Sequence, residues 1–142
     1  MNYLLDTNAC IALMNGAPAA VRIRFEQAVR ARSQVYISSV ISSVVAFELW
    51  YGIAKSSRVE VNTERLKALL SSSIMGLQFD DDDARAAGSV RAALEAAGKS
   101  IGAYDYLIAG QALARKLTLV TANVSEFSRV KGISWEDWAK QL

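Results

Sequence analysis

Three carboxylates stand where the hydrophobic pattern calls for apolar side chains. Asp6 closes the short apolar run Tyr3-Leu4-Leu5 and precedes a helical segment. Glu48 lies within Val44-Val45-Ala46-Phe47-Glu48-Leu49-Trp50-Tyr51, a helix that reads as apolar on nearly every side. Asp105 opens a helix on the stripe it shares with Ile108, Ala109 and Ala112, the spacing of one helix face. Burying an isolated carboxylate costs several kcal/mol even after relaxation, so three of them call for a shared cation. Their oxygens are hard ligands of the kind that Mg²⁺ and Mn²⁺ take. The chain has no histidine, which excludes Ser–His and Cys–His nucleophile systems and His-ligated zinc or iron. Its single cysteine, Cys10, excludes an internal disulfide and a multi-cysteine zinc site. Taken singly, each carboxylate also has a structural use: Asp6 as a helix cap, Glu48 paired with an arginine or snorkelling, Asp105 complementing a helix dipole. Together they point to a metal site.

The elements that must position these groups follow from the hydrophobic periods. A length of 142 residues predicts one domain, residues 1–142, and 52% apolar against 21% charged residues provides for a real core. Tyr3-Leu4-Leu5 predicts a buried strand. Thr7 or Asn8 would cap a helix through Met14 that stops at Asn15-Gly16. A second helix has Pro18 in its first turn and runs through Val21, Phe25 and Val29. Val35-Tyr36-Ile37-Ser38 is a second strand, and Ser42 or Ser43 would cap the helix that carries Glu48. An amphipathic helix is expected from Asn62 to Ser72, then a weak strand at Leu77-Gln78-Phe79. Asp80 to Asp83 would open a long alanine-rich helix ending before Gly98. Tyr104 to Arg115 forms the next helix, Thr118-Leu119-Val120-Thr121 a clear strand, and Ser134-Trp135 a short final one. Strands alternating with helices imply an α/β/α sandwich around a small, mostly parallel sheet. In such sheets ligands bind beyond the carboxyl ends of the strands, where Asp6 and Asn123 fall.

The residues then match a known pattern. Leu4-Leu5-Asp6-Thr7-Asn8 resembles the LDTN opening of the PIN-domain nucleases, and VVAFELWYG (Val44 to Gly52) looks like their xxxELxYG helix. IGAYDYLIAG (Ile101 to Gly110) looks like the IGxxDxLIA motif of the VapC toxins, and LVTANVSEFSRVKGI (Leu119 to Ile133) looks like their LVTxNxxEFxRVxGL ending. Order and spacing fit from Asp6 to Trp138, essentially the whole chain. The resemblance implies a PIN-like fold and a Mg²⁺- or Mn²⁺-dependent endoribonuclease, the toxin of a type II toxin–antitoxin pair. Asp6, Glu48 and Asp105 match the acidic positions that hold the metal. Asn123 matches a fourth position that is Asp in many PIN domains, and Thr121 the hydroxyl residue two before it; Thr7 and Asn8 belong to the opening motif. The implied partners are a VapB-like antitoxin, an RNA substrate, a second copy of the chain in a homodimer, and DNA only through the antitoxin.

Other features have plainer readings. Asp80 to Asp83 is the most conspicuous acidic run, but consecutive residues at a helix start point in different directions, so capping and solvation are expected. Glu126 could join the site from its loop, with a surface ion pair as the expected fate. Cys10, Leu13, Phe25 and Trp50 read as core. Lys55, Arg58 and Arg129 are the basic residues singled out for RNA phosphates, with a solvated face as the default, and Arg115-Lys116 suit a helix C-terminus. A net charge of +2 allows a nucleic-acid substrate without indicating one. The longest apolar run, Ala9 to Met14, is too short to span a bilayer, and the start of the chain does not resemble a secretory signal, so a cytoplasmic protein is expected. Two rival readings remain: a haloacid-dehalogenase-like phosphatase with Asp6 as nucleophile, which wants a second Asp where Asn8 stands, and a catalytically inactive PIN-like RNA-binding or scaffold module.

Overall fold

The computed structural model describes residues 1–70 and 73–140, with backbone alone for residues 41, 69 and 70. The elements run β1 (Tyr3–Leu5), α1 (Thr7–Asn15), α2 (Ala19–Arg30), β2 (Val35–Ser38), α3 (Ser39–Lys55), α4 (Val59–Leu70), β3 (Ile74–Leu77), α5 (Asp81–Ala96), α6 (Ala103–Arg115), β4 (Thr118–Val120), α7 (Val124–Phe127) and β5 (Ser134–Glu136). The five strands form one sheet in the order β3-β2-β1-β4-β5, and every pairing is parallel. Adjacent residues of a strand face opposite sides of the sheet, and β1 shows it directly. Leu4 enters the core shared with α5 and α6, next to Ile108, Ala109 and Leu119. Leu5 enters the core shared with α1 and α2, next to Cys10, Leu13 and Val120. Short strands that are apolar throughout are what a sheet covered on both faces requires, so the α/β/α sandwich read from the sequence is the observed fold. Among the described residues no helix is long and apolar enough to cross a membrane.

The chain steps outward from β1 through β2 to β3, then returns to the other side of β1 to lay down β4 and β5. Neighbouring connections therefore diverge above the carboxyl ends of β1 and β4. This reversal opens a crevice, the usual ligand position in open parallel sheets.

Several boundaries differ from expectation for local reasons. α3 starts at Ser39; Ser42 and Ser43 lie inside it and donate their hydroxyls back to the Ser39 carbonyl at 3.0 and 3.2 Å. β3 ends at Leu77, earlier than read, because the Phe79 N–H leaves the ladder and donates to Ser39 Oγ at 3.1 Å. α4 begins at Val59, and the expected end of that helix at Ser72 lies outside the described residues. The loop after β4 contains a short helix, α7, whose single turn is too brief to show a hydrophobic period. Trp50, read as core, is 47% exposed, whereas Cys10 and Leu13 are buried as expected.

The acidic run at the start of α5 caps the helix, as read: Asp80 accepts from the Asp83 N–H at 3.1 Å, and Asp83 accepts from the Asp80 N–H at 3.0 Å, a reciprocal capping box. Solvation is the wrong half of that reading for Asp83, which is fully buried. Its carboxylate accepts from Arg115 Nε at 3.1 Å and from Gln111 Nε2 at 3.2 Å. Arg115 thus latches α6 to α5 instead of simply neutralising its own helix end. Midway along the same interface, a Cβ on Gly110 would lie 2.3 Å from the Ala87 nitrogen and 2.4 Å from its Cα, so the two backbones touch where only glycine fits. Gly110→Ala is expected to lower stability by roughly 1–3 kcal/mol, the usual cost of overpacking, as a reduced midpoint in urea denaturation. An unchanged midpoint would show that the α5–α6 crossing can open without penalty.

Candidate active site

The site is assembled from the ends of β1 and β4 and the starts of α1, α6 and α7. Asp6 follows β1 and is 4% exposed. Its N–H donates to the Val120 carbonyl at 3.1 Å, which extends the β1–β4 ladder by one residue. Its carboxylate caps α1, accepting from the Ala9 N–H at 2.8 Å. Capping and a place in the site are therefore one and the same position, not alternatives. The Thr121 hydroxyl bonds to the Asp6 carboxylate and accepts from the Asn123 N–H at 2.9 Å. Burial pushes the Asp6 carboxyl above its ordinary range; hydrogen bonds from Thr121, Ala9 and Asn8 oppose this, and the negative charge of Asp137 adds to it. Thr7 is half-buried and Asn8 exposed in the first turn of α1.

Asp105 is half-buried in the first turn of α6. Its carboxyl is pushed up to about 6, first by burial, then by a hydrogen bond to Glu126 and the charges of Glu126 and Asp6. Asn123 stands at the start of α7 and donates its Nδ2 to Glu126 Oε2 at 2.8 Å. Asp6, Asp105 and Glu126 thus form one electrostatic group, with Thr121 and Asn123 orienting two of its members.

Glu48 is different. It is exposed on α3, between the exposed Phe47 and the half-buried Leu49, and makes no hydrogen bond or ion pair among the described residues. The sequence argument from burial therefore does not hold for it: α3 is apolar on nearly every side, but much of that apolar surface, including Phe47, Trp50 and Tyr51, faces solvent. Glu126, by contrast, forms no surface ion pair among the described residues and takes the other course open to it, facing Asp105 from its loop. Its position three residues after Asn123, one helical turn on, is the signal that could have found it.

The donor set suits a hard divalent cation. Among the described residues no lysine or arginine forms a salt bridge with Asp6, Asp105 or Glu126, so their negative charge is left without a protein counter-ion. Among the described residues no three acidic side chains are gathered closely enough to enclose one ion. Mg²⁺ is commonly bound through one or two carboxylates plus water and substrate oxygens, which a pair such as Asp6 and Asp105 can provide. Cys10, under Asp6, is not a ligand candidate: burial and the Asp6 charge push its thiol up to about 12.

A parallel sheet in this order with an acidic cluster at its crevice is the architecture of the PIN domain, and residues 3–133 match that family. The chain is 38% identical over 139 residues to the tRNA(fMet)-specific endonuclease VapC of Shigella flexneri, covering 98% of this chain and 99% of that protein. It is 36% identical over 143 residues to the ribonuclease VapC2 of Rickettsia felis, covering 99% of this chain and 100% of that one. Among solved structures, the VapBC2 complex of Rickettsia felis bound to a promoter DNA fragment aligns with a TM-score of 0.80 at 34% identity, over 96% of this chain and 98% of that chain. The DNA-bound VapBC of Salmonella typhimurium aligns with a TM-score of 0.79 at 36% identity, over 97% and 98%. The chain belongs to the PIN-domain family, within its VapC group.

The electrostatics predict a pH signature for the metal-free protein. A carboxyl raised from 3.8 to about 6 on folding holds a proton that the unfolded chain releases. Its contribution favours folding at pH below 4 and is lost as the pH rises towards 6. In a chelator, Asp105→Asn should therefore melt higher than wild type at pH 7, with the difference closing at pH 4. Thermal melts of both proteins across this range check it; a constant difference would mean that Asp105 is not held in a repelling group.

Proposed function

We propose that this protein is a divalent-metal-dependent endoribonuclease using Mg²⁺ or Mn²⁺, and the toxin of a toxin–antitoxin pair. The observation that carries this reading is the group of Asp6, Asp105 and Glu126 at the sheet's crevice, acidic and without a salt-bridged basic partner among the described residues. Membership of the VapC group, whose relatives are named as ribonucleases, supports RNA as substrate. Asp6 and Asp105 hold the ion, and Glu48, matched by motif, is proposed to join them from α3, which packs against α1 and β2. A divalent ion bound there would stabilise charge on the phosphoryl oxygens and activate water for attack on phosphorus. Thr121 keeps the Asp6 carboxylate oriented and desolvated. Asn123 fixes Glu126 through Oε2, and Glu126 bonds Asp105, whose raised carboxyl is placed to take up the proton that hydrolysis releases.

A VapB-like antitoxin is the proposed partner, together with a second copy of the chain; DNA would be reached only through the antitoxin. The solved relatives are VapBC complexes, some bound to DNA. The apolar side chains that α3 and α4 present to solvent, Phe47, Trp50, Tyr51, Val59 and Val61, form the kind of surface that partners cover. The exposure of Glu48 favours a second reading, an inactive RNA-binding module, which the same experiments separate.

With purified, antitoxin-free protein, RNA cleavage is expected with Mg²⁺ or Mn²⁺ and none in EDTA. Asp6→Asn and Asp105→Asn should each lower cleavage by at least about a hundredfold while the protein stays folded, since Asn still caps α1 at position 6. Glu126→Gln should cost roughly 10–100-fold, the range for groups that orient metal ligands. Wild-type turnover in Asp6→Asn would remove the site assignment, and loss in Glu48→Gln would place that residue in the chemistry. Expression in a bacterium should arrest growth, with relief by an antitoxin encoded beside the gene.

A further inference from the structure

Gly102 precedes α6 as its N-cap, with φ −62° and ψ 150°, and no side chain caps that helix. These angles are open to any residue, so the backbone does not require glycine. Glycine is an accepted N-cap, but serine, threonine, aspartate or asparagine would add a side-chain bond to the exposed N–H groups of the first turn, a small gain over glycine. The Asp105 N–H, the third of that turn, is left to bond the Gly102 carbonyl at 3.1 Å. A Cβ at 102 would lie 3.0 Å from Asp105 Oδ2, tighter than ordinary van der Waals contact, and 3.6 Å from its Cγ. The backbone is poorly placed to retreat. The Ile101 N–H is tied to the Tyr106 hydroxyl at 3.0 Å, and Arg129 Nη1 holds the Ser100 carbonyl at 3.2 Å. The Asp105 carboxylate is the group that must give way.

We propose that Gly102 is a positioning residue whose missing side chain keeps the space beside Asp105 Oδ2 open, so that this carboxylate can face Asp6 and Glu126 and take a divalent cation. The proposal rests on the metal reading of the site, and its test reads metal binding without RNA. Mn²⁺ is titrated by calorimetry into wild type, Gly102→Ser and Gly102→Ala, with thermal melts of each metal-free protein. Gly88→Ala serves as the control: Gly88 is exposed in α5, and a Cβ there meets nothing within 4 Å. Gly102→Ser should melt at or above wild type because it gains a cap, yet bind Mn²⁺ about tenfold more weakly, the low end for groups that orient metal ligands. Gly102→Ala should show the same loss of affinity, since bulk and not the hydroxyl causes it. Gly88→Ala should melt higher with wild-type affinity. Wild-type Mn²⁺ affinity in both Gly102 variants overturns the proposal, as does an affinity loss matched in both by a lower melting temperature, which would mean a purely structural role. If wild type binds no Mn²⁺, the metal reading itself fails and the proposal with it; binding without RNA cleavage would fail the ribonuclease reading alone.

Discussion

The carboxylate of Asp6 gives up nearly all contact with water, and the arrangement around it depends on how that loss is met. No cation is salt-bridged to it among the described residues. It is met instead by three donors: the Ala9 and Asn8 N–H groups at the start of α1 and the Thr121 hydroxyl beyond β4. Each comes from a different consequence of the fold. The two N–H groups are orphan donors that every helix start presents, aimed at Asp6 because α1 begins immediately after β1. Thr121 is available because β4 pairs parallel with β1, Leu5 opposite Val120. Donors of this kind lessen the penalty of burial without cancelling the charge, so Asp6 remains raised and its field reaches Asp105.

Asp83 shows what a structural carboxylate looks like in the same chain. It is even more deeply buried, and burial alone would raise it. Arg115 and the Asp80 and Gln111 hydrogen bonds outweigh burial and hold it below its ordinary range. Asp105, one face of α6 away, has carboxylates for neighbours and moves the other way. The opposite signs separate a pair that locks α5 to α6 from a group of like charges with no salt-bridged cation among the described residues, and the two are mechanically linked. The Asp83–Arg115 latch and the Gly110–Ala87 contact fix α6 against α5, so Asp105 is held by a helix that cannot easily slide.

The architecture was legible in the sequence because its strands are short, apolar and regularly separated by helices. Asp6 and Asp105 were legible for the same reason, as charges interrupting an apolar pattern. Pattern failed where it could not separate apolar from buried. The residues around Glu48 are hydrophobic, yet α3 presents several of them to solvent, so neighbours alone did not determine the burial of that carboxylate. Glu126 failed in the opposite way. It lies in a polar stretch with no period to violate, and its meeting with Asp105 depends on α7, a helix of one turn formed after β4. Asp83 was hidden inside an acidic run whose other members do face water; only the packing of α6 distinguishes it.

The chemistry of the site then turns on competition for the same oxygens. With Asp6, Asp105 and Glu126 all ionised the group carries three negative charges, and Asn123, an amide, adds a donor without adding charge. Burial and the charges of Glu126 and Asp6 raise the Asp105 carboxyl to about 6, so it takes up a proton more readily than an ordinary aspartate. On the proposed reading, a divalent cation would relieve the same repulsion more completely and would compete with a proton for the Asp105 oxygens. Proton and metal would then be alternative occupants of one electrostatic position. An aspartate at 123 would strengthen the attraction for both and leave Glu126 beside a repelling carboxylate in place of the Nδ2 donor that now orients it. The amide preserves that donor while limiting the site's charge. This argues for one tightly held ion and leaves any second to be stabilised by the phosphate oxygens of a bound substrate.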